Sequence, residues 1–562
     1  MFLLDAYAAR SCPVKTHNLF DPTMERPEPP DESLGEAFHG GREFELAVLD
    51  EIAAKNPVTD LRPLREAPLE TRAAASAEAI GRGDAIIIDA LLPRDYAGHR
   101  SGRPDLLVRG ADTPAGTPGY HPVEVKLQKV LERREGHTMA ISRLGSLSLE
   151  DALQVPRSAF RASKEKTLLQ LAHYWRMLEA AGYAAAGPPL AGAIGLDRPS
   201  QAGGHCVSWV DLSEKQLRTF SRTSESGWRL RSALERYDHE HQFRVYVATQ
   251  ALARSGKDDP PPPVVPIVVK ECEYCVWWER CRSQLDEESI SLRINKSPLD
   301  VREISALSGL GIATLTDLAD ADLDELLPRY LPEVRHREGA ESRLRLAARR
   351  ARLMLAGIEL ERTTSGPIEV PTAEVEIDFD IETSDEGRTY LWGLLVNDRA
   401  AGTSEYHAFA RFADLDRSGE TALLIEFARF LAPLLRDRDA LVYHYSDYER
   451  VFLNRLSKMT GDPDVAYLVE ASTTHFVDLF TLVRAHFFGT NGLGLKTVAH
   501  AGAGFSWRDD DPGGLNSQTW FNDAVHADDP AEREAARVRV LEYNEDDVRA
   551  TLALREWLRG LG

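Results

Sequence analysis

Several acidic residues stand at spacings that could hold a divalent cation. Asp105 closes Gly102-Arg103-Pro104-Asp105 and opens the apolar run Leu106-Leu107-Val108. After a loop comes His121-Pro122-Val123-Glu124-Val125-Lys126, where Glu124 and Lys126 flank Val125 and, on a strand, point to one face. Two carboxylates and an ammonium on adjacent strands can bind Mg²⁺ or Mn²⁺ and polarise a water beside it. The alternative is two ordinary strands with solvated charges. A second string, Glu376-Ile377-Asp378-Phe379-Asp380-Ile381-Glu382, puts Asp380 and Glu382 on one side of another strand. Further on, Tyr448-Glu449 precedes an apolar run, and Tyr543 and Asp547, four apart, share a face of the last helix.

The elements that must position these residues are legible from periodicity. Leu34, Phe38, Phe44, Val48, Leu49 and Ile52 read as a helix over 34–54, with Gly40-Gly41 marking a break. Residues 84–92 read as a buried strand and 163–181 as an amphipathic helix on which Gln170 and Tyr174 share a face. Strands are expected over 191–211 and helix over 228–254. A proline-rich connector at 258–263 leads to a strand-like 264–269. Residues 298–360 read as helical, the strand around 375–381 follows, and a helix is expected over 531–559.

The net charge of −22 argues against a general nucleic-acid coat protein but leaves room for local basic contacts. Arg335, Arg337, Arg343, Arg345, Arg349, Arg350 and Arg352 are one such concentration, either a phosphate-tracking face or a solvated helix paired with nearby Glu. Leu307-x-Gly309-Leu310-Gly311 fits a helix–hairpin–helix turn whose amides at Gly309 and Gly311 could reach phosphate, or a plain helix–turn–helix linker. No run approaches a membrane span and the start lacks a basic, secretory character, so a cytoplasmic protein is expected.

The five cysteines are too few and odd in number for a disulfide framework. Cys206 reads as a buried thiol in a strand. Cys272-x2-Cys275-x5-Cys281 reads as a metal site needing a fourth ligand, for which Cys12 is the candidate, with zinc as the generic metal.

The order of Gly41-Arg42-Glu43-Phe44-Glu45, Asp105, Glu124-x-Lys126 and Gln170-x3-Tyr174 resembles the RecB-type branch of the PD-(D/E)xK nucleases. The resemblance implies Asp105, Glu124 and the Val125 carbonyl as metal ligands, with Lys126 stabilising charge or orienting water. It also implies Gln170 and Tyr174 as phosphate or metal-shell contacts. Many members carry a histidine just before the glutamate; here that position is Phe44, leaving Glu45 or His39 to substitute. One early and three late cysteines resemble the iron staple of that branch, which implies a [4Fe-4S] cluster on Cys12, Cys272, Cys275 and Cys281, with zinc as the alternative.

From 371 onward the chain resembles the DEDD 3′–5′ exonucleases of the RNase H-like fold, tyrosine subclass. That implies Asp380, Glu382, Glu449 (where aspartate is usual) and Asp547 as metal ligands and Tyr543 orienting the attacking water, with Asp478 an auxiliary acid. The implied fold is α/β: a restriction-endonuclease-like core with an Fe–S staple over 1–290, a helical bridge with a helix–hairpin–helix over 291–365, and an RNase H-like exonuclease domain over 366–562. The expected activity is metal-dependent hydrolysis of DNA, as an exonuclease on single strands or ends, in repair, recombination or defence. A ribonuclease or a non-catalytic nucleic-acid scaffold are the alternatives. Some relatives continue into a helicase; this chain has no Gly-x4-Gly-Lys-Ser/Thr loop, so any helicase would be a separate partner.

Overall fold

Ile86-Ile87-Ile88 and Leu106-Leu107-Val108 are apolar without alternation, which suits short strands covered on both faces. The computed structural model describes residues 1–27, 36–256, 259–384, 386–510 and 513–561. It divides into one unit of Met1–Arg293 with Leu299–Leu346 and another of Ile294–Pro298 with Ala347–Gly562.

The first unit is built on an eight-stranded mixed sheet. Its strands are β1 (Thr59–Asp60), β2 (Ile86–Ile88), β3 (Leu106–Arg109), β4 (Tyr120–Val125), β5 (Leu131–Arg143), β6 (Leu153–Phe160), β7 (Leu190–Ile194) and β8 (Cys206–Asp211), in the order β1-β2-β3-β4-β7-β8-β5-β6. Pro122 is tolerated in a central strand because the β7 ladder meets β4 only at Val123–Val125. Helix α1 (Pro13–Phe20) follows Cys12, and α2 (Glu36–Lys55) runs through Gly40-Gly41 without the expected break. Val48, Leu49 and Ile52 of α2 pack on Ile86, Ile88, Leu106 and Val123. Ile87 and Leu107 point the other way, to Tyr174 and Leu178 of α3 (Glu165–Ala181).

One expected boundary moves and one expected strand is absent. The helix read over 228–254 begins only at Ala233 (α4, Ala233–Leu252), because Trp228–Arg231 pairs as a strand with Leu217–Phe220 and a Ser232/Glu235 capping box starts the helix. The strand read over 264–269 is not one: Pro266 has no amide, and the Val268 amide bonds the Ser291 hydroxyl rather than a neighbouring strand.

Residues 298–360 are helical as read. After the helix Val301–Gly309, Gly311 takes φ +84°, and the amides of Leu310, Gly311 and Ile312 all bond carbonyls of that helix. These amides are taken up by the helix cap, as in a plain helix–turn–helix linker. The arginine run is likewise paired. Arg343 bonds Glu303 at 2.7 Å, Arg345 bonds Glu341 at 2.9 Å, Arg349 meets Glu361, and buried Arg350 donates to the Lys296 and Thr490 carbonyls. Most of this run is thus matched by nearby acids and carbonyls, as the solvated-helix reading expects.

The second unit carries a five-stranded sheet, β11-β10-β9-β12-β13, from β9 (Val375–Thr383), β10 (Thr389–Asp398), β11 (Thr403–Ala410), β12 (Ala440–His444) and β13 (Phe476–Asp478). β9, β10 and β11 are antiparallel; β12 and β13 add in parallel. The period of the strand sorts β9 cleanly. Val375, Ile377, Phe379 and Ile381 pack on Leu423, Phe427 and Leu431 of α5 (Arg417–Asp437). Glu376, Asp378, Asp380 and Glu382 therefore share the opposite face, toward α9 (Pro530–Gly560). Helices α6 (Tyr448–Ser457), α7 (Leu495–Ala503) and α8 (Gly514–His526) complete the parts that matter for the site. Among the described residues no helix is long and apolar enough to cross a membrane.

Candidate functional site

In the first unit, β3 pairs antiparallel with β4, Leu106 opposite Val123. Asp105, one residue before β3, is thereby brought beside Glu124, and its Oδ2 accepts the Val125 amide at 2.7 Å. A Cβ on Gly102 would lie 2.7 Å from the Tyr174 ring, so glycine there lets the Asp105 loop close on α3. Asp105, Glu124, Lys126, Gln170, Tyr174 and Glu45 line one cavity of about 250 Å³, with Asp5, Tyr7 and Arg103 also on its walls. Glu45 faces Arg65 at 3.5 Å, Phe44 packs edge-on against His205, and the His39 side chain lies outside the described residues. A larger cavity of about 670 Å³ opens around Val108, His121 and Leu190 and contains none of these acids.

The electrostatics of this cavity are unbalanced. Lys126 and Gln170 both donate to Glu124 Oε2, the latter at 2.9 Å, while buried Glu124 Oε1 has no hydrogen-bond partner. A buried anionic oxygen left unpaired is costly unless a cation meets it. Burial, then the facing Glu124, raises the Asp105 pKa well above the carboxylate range. Burial opposes the charge on Lys126, yet Glu124 and Asp105 hold its pKa above the usual lysine value.

The four cysteines singled out by spacing turn into one cavity, with Val14, Lys15, Ile267 and Trp278 around them. The Cys12 amide donates to Glu271 at 3.2 Å and Lys15 pairs with the same carboxylate at 2.8 Å, tying the two distant segments together. Burial, then neighbouring groups including the other sulfurs, raises the Cys281 thiol to about 11 and lifts Cys12 and Cys272 as well. No three of these sulfurs lie within 4.8 Å of one another. Cys206 sits apart in β8, buried as read.

In the second unit, Asp380, Glu382 and Asp547 each offer an oxygen within 4.8 Å of the others. β9 supplies the first two and α9 the third. The row of four acids on β9 is split by α9. Arg555 grips Asp378 through both oxygens at 2.9 and 3.1 Å and also meets Glu376, which Arg559 holds at 2.8 Å. Among the described residues no arginine is ion-paired with Asp380 or Glu382; Asn544 donates to Asp380 at 2.9 Å and Ser517 to Glu382 at 2.7 Å, and the Lys496 charge acts on Glu382. Trp507 donates to Asp547 at 2.7 Å.

Residues 377–559 match the family model of the RNase H superfamily. The second unit carries an RNase H-like domain. No curated protein and no solved structure matches the chain. An RNase H-like domain with this carboxylate cluster is the arrangement of a metal-dependent nuclease, and the cluster is consistent with Mg²⁺ or Mn²⁺. Such a nuclease acts on nucleic acid.

Within the RNase H-like domain, burial and then the charges of Asp547, Glu382 and Glu449 raise the Asp380 pKa well above its usual range. Burial and then Asp547 push Glu382 up to about 8. Glu449 is buried on α6, outside the 4.8 Å trio, 3.4 Å from His444; its Oε2 makes no hydrogen bond. Asp478 caps α-helix Leu479–His486 through the Phe480 amide and also takes the Ser446 amide, so its carboxylate is occupied structurally. Tyr543 lies one turn from Asp547 on α9 and accepts a hydrogen bond from Lys496 at 2.8 Å.

Reading by spacing missed Ser517, Asn544, Trp507 and Lys496. Asn544 had a signal, three residues before Asp547 and so on the same helix face. The other three come from separate elements with no local pattern. In the first unit it missed Asp5, Tyr7 and Arg103, which also line the carboxylate cavity.

Proposed function

We propose that the chain is a metal-dependent nuclease that hydrolyses phosphodiester bonds of DNA as an exonuclease. In this reading a RecB-type PD-(D/E)xK core occupies the first unit and a tyrosine-subclass DEDD exonuclease the second. The observation that carries it is the convergence of Asp380, Glu382 and Asp547 on an RNase H-like domain, with no arginine ion-paired to Asp380 or Glu382 among the described residues. The first core is supported by six spacing-predicted residues lining one cavity and by the unpartnered Glu124 Oε1.

Asp380, Glu382 and Asp547 would hold Mg²⁺ or Mn²⁺, with Glu449 the fourth acid at longer reach. Bound there, the ion supplies an activated water and charge neutralisation at the phosphate. Tyr543, one turn from Asp547 and bonded by Lys496, would orient the attacking water, and Lys496 would stabilise negative charge as it develops. In the first unit Asp105 and Glu124 would be the ligands, Lys126 would carry the electrostatic role, and Gln170 would hold Glu124. Cys12, Cys272, Cys275 and Cys281, which share one cavity, would hold a [4Fe-4S] cluster, with zinc as the alternative. Such a cluster supplies a cross-link between segments far apart in the chain.

The test uses matched DNA and RNA single strands, labelled at 5′ or 3′ ends, in Mg²⁺, with wild type, Asp105→Asn, Asp380→Asn and the double variant side by side. Loss of part of the DNA products in each single variant, and of all of them in the double variant, supports the reading. Products from RNA alone, or binding without products, would replace it with a ribonuclease or a scaffold.

A further inference from the structure

We propose that Arg10 is a positioning residue of the first carboxylate site, fixing the Gln170 amide that in turn orients Glu124. This rests on the reading of Asp105 and Glu124 as a cation site. Arg10 Nη1 donates to Gln170 Oε1 at 2.8 Å, and Gln170 Nε2 donates to Glu124 Oε2 at 2.9 Å and to the Tyr174 hydroxyl at 3.2 Å. An amide has one acceptor oxygen and two N–H donors. With the oxygen committed to a guanidinium, both donors are left for the carboxylate and the phenol, and the charged partner strengthens them.

The consequence falls on Glu124. The terminal torsion of a glutamate is broad, so hydrogen bonds must set which oxygen faces the cavity. Lys126 and Gln170 together occupy Oε2, which leaves buried Oε1 as the unpartnered oxygen. Gln170 is itself only 2% exposed, so little water could replace Arg10 there.

Arg10 is not a loose surface arginine. Its segment is pinned on one side by Leu4, whose amide and carbonyl bond His99 and Ser101 at 2.9 Å. On the other side buried Arg244 donates to the Ser11 carbonyl at 2.7 Å, and the Cys12 amide meets Glu271. Between them Ala9 is buried in the core and the guanidinium lies over the Tyr7 ring at 4.2 Å. The same short segment therefore carries Cys12 into the cysteine cavity and Arg10 to the carboxylates.

The test measures Mn²⁺ binding calorimetrically in the full chain, with Asp380→Asn and Asp547→Asn present so that the first site is read. Arg10→Met should weaken the Asp105-dependent binding by about 10- to 100-fold, as loss of outer-shell partners does. Arg10→Lys, which keeps a donor, should recover part of it, and Arg10→Met should add nothing once Gln170→Leu is present. Mn²⁺ affinity unchanged in Arg10→Met, or independent addition of the two substitutions, overturns the inference. Absence of any Asp105-dependent Mn²⁺ binding in the parent overturns the cation-site reading itself and the inference with it. Unchanged thermal unfolding of Arg10→Met separates a local effect from misfolding.

Discussion

Gly393 stands directly opposite Asp380 in the β9–β10 ladder, and Asn544 of α9 fills the space its missing side chain leaves. A Cβ at 393 would lie 1.7 Å from Asn544 Oδ1, which also accepts from the Tyr406 hydroxyl at 2.8 Å. Gly393 is thus what allows α9 close enough for Asn544 to hold Asp380. We expect Gly393→Ala to cost about 1–3 kcal/mol in urea unfolding, as overpacking does. It should also lower DNA degradation by the second site in an Asp105→Asn background. Unchanged stability and rate would show that Asn544 moves aside freely.

Arg555 is fully buried and serves two acids, Asp378 and Glu376. Arg555→Met should destabilise the second unit by about 3–5 kcal/mol, because it strands a buried charge. Adding Asp378→Leu should return much of that loss, which a double-mutant cycle by denaturant unfolding would measure. Equal and additive losses would mean that the pair is not coupled.

Glu382 is pushed from an ordinary 4.5 to about 8 in the metal-free domain. The folded state therefore holds a proton that the unfolded state has released. The stability this contributes is complete below about pH 4.5 and is lost as pH rises through 8. Melting in chelator should fall across that window, Mg²⁺ should reverse the trend at its upper end, and Asp547→Asn should flatten it. Metal binding at pH 7 should release protons, visible by calorimetry in buffers of different ionisation heat.

A cluster on Cys12, Cys272, Cys275 and Cys281 should make an anaerobic preparation brown, with iron and sulfide in equal amounts. Cys275→Ser should bleach it and lower the melting temperature of the first unit, since a cross-link between distant segments is lost. A colourless preparation holding stoichiometric zinc would replace the cluster with zinc.

Short-range geometry was readable in the chain itself. Alternation on a strand pairs Glu124 with Lys126 and Asp380 with Glu382, and helical spacing pairs Gln170 with Tyr174 and Tyr543 with Asp547. These are properties of the backbone, fixed before any partner is chosen. The structure puts Glu45, Asp105, Glu124, Lys126, Gln170 and Tyr174 around one cavity, and Cys12 with the three later cysteines around another. The misread stretch at 264–269 shows the limit: its apolar content suited a strand, but a strand also needs a free edge to bond, and Pro266 has no amide to offer.

Only the resemblance to the DEDD exonucleases singles out Asp380 and Glu382; spacing alone does not rank the row Glu376, Asp378, Asp380 and Glu382, four acids on one face of β9. Docking of α9 separates them. It lays Arg555 and Arg559 on the first two and the uncharged Asn544 on Asp380, while Ser517 of α8 meets Glu382. Which acids are neutralised and which are left for a cation depends on where a helix some 170 residues away comes to rest, as the 164-residue gap between Asp380 and Asn544 shows. Local periodicity sets the face a side chain takes; only packing between distant elements sets the charge it meets there.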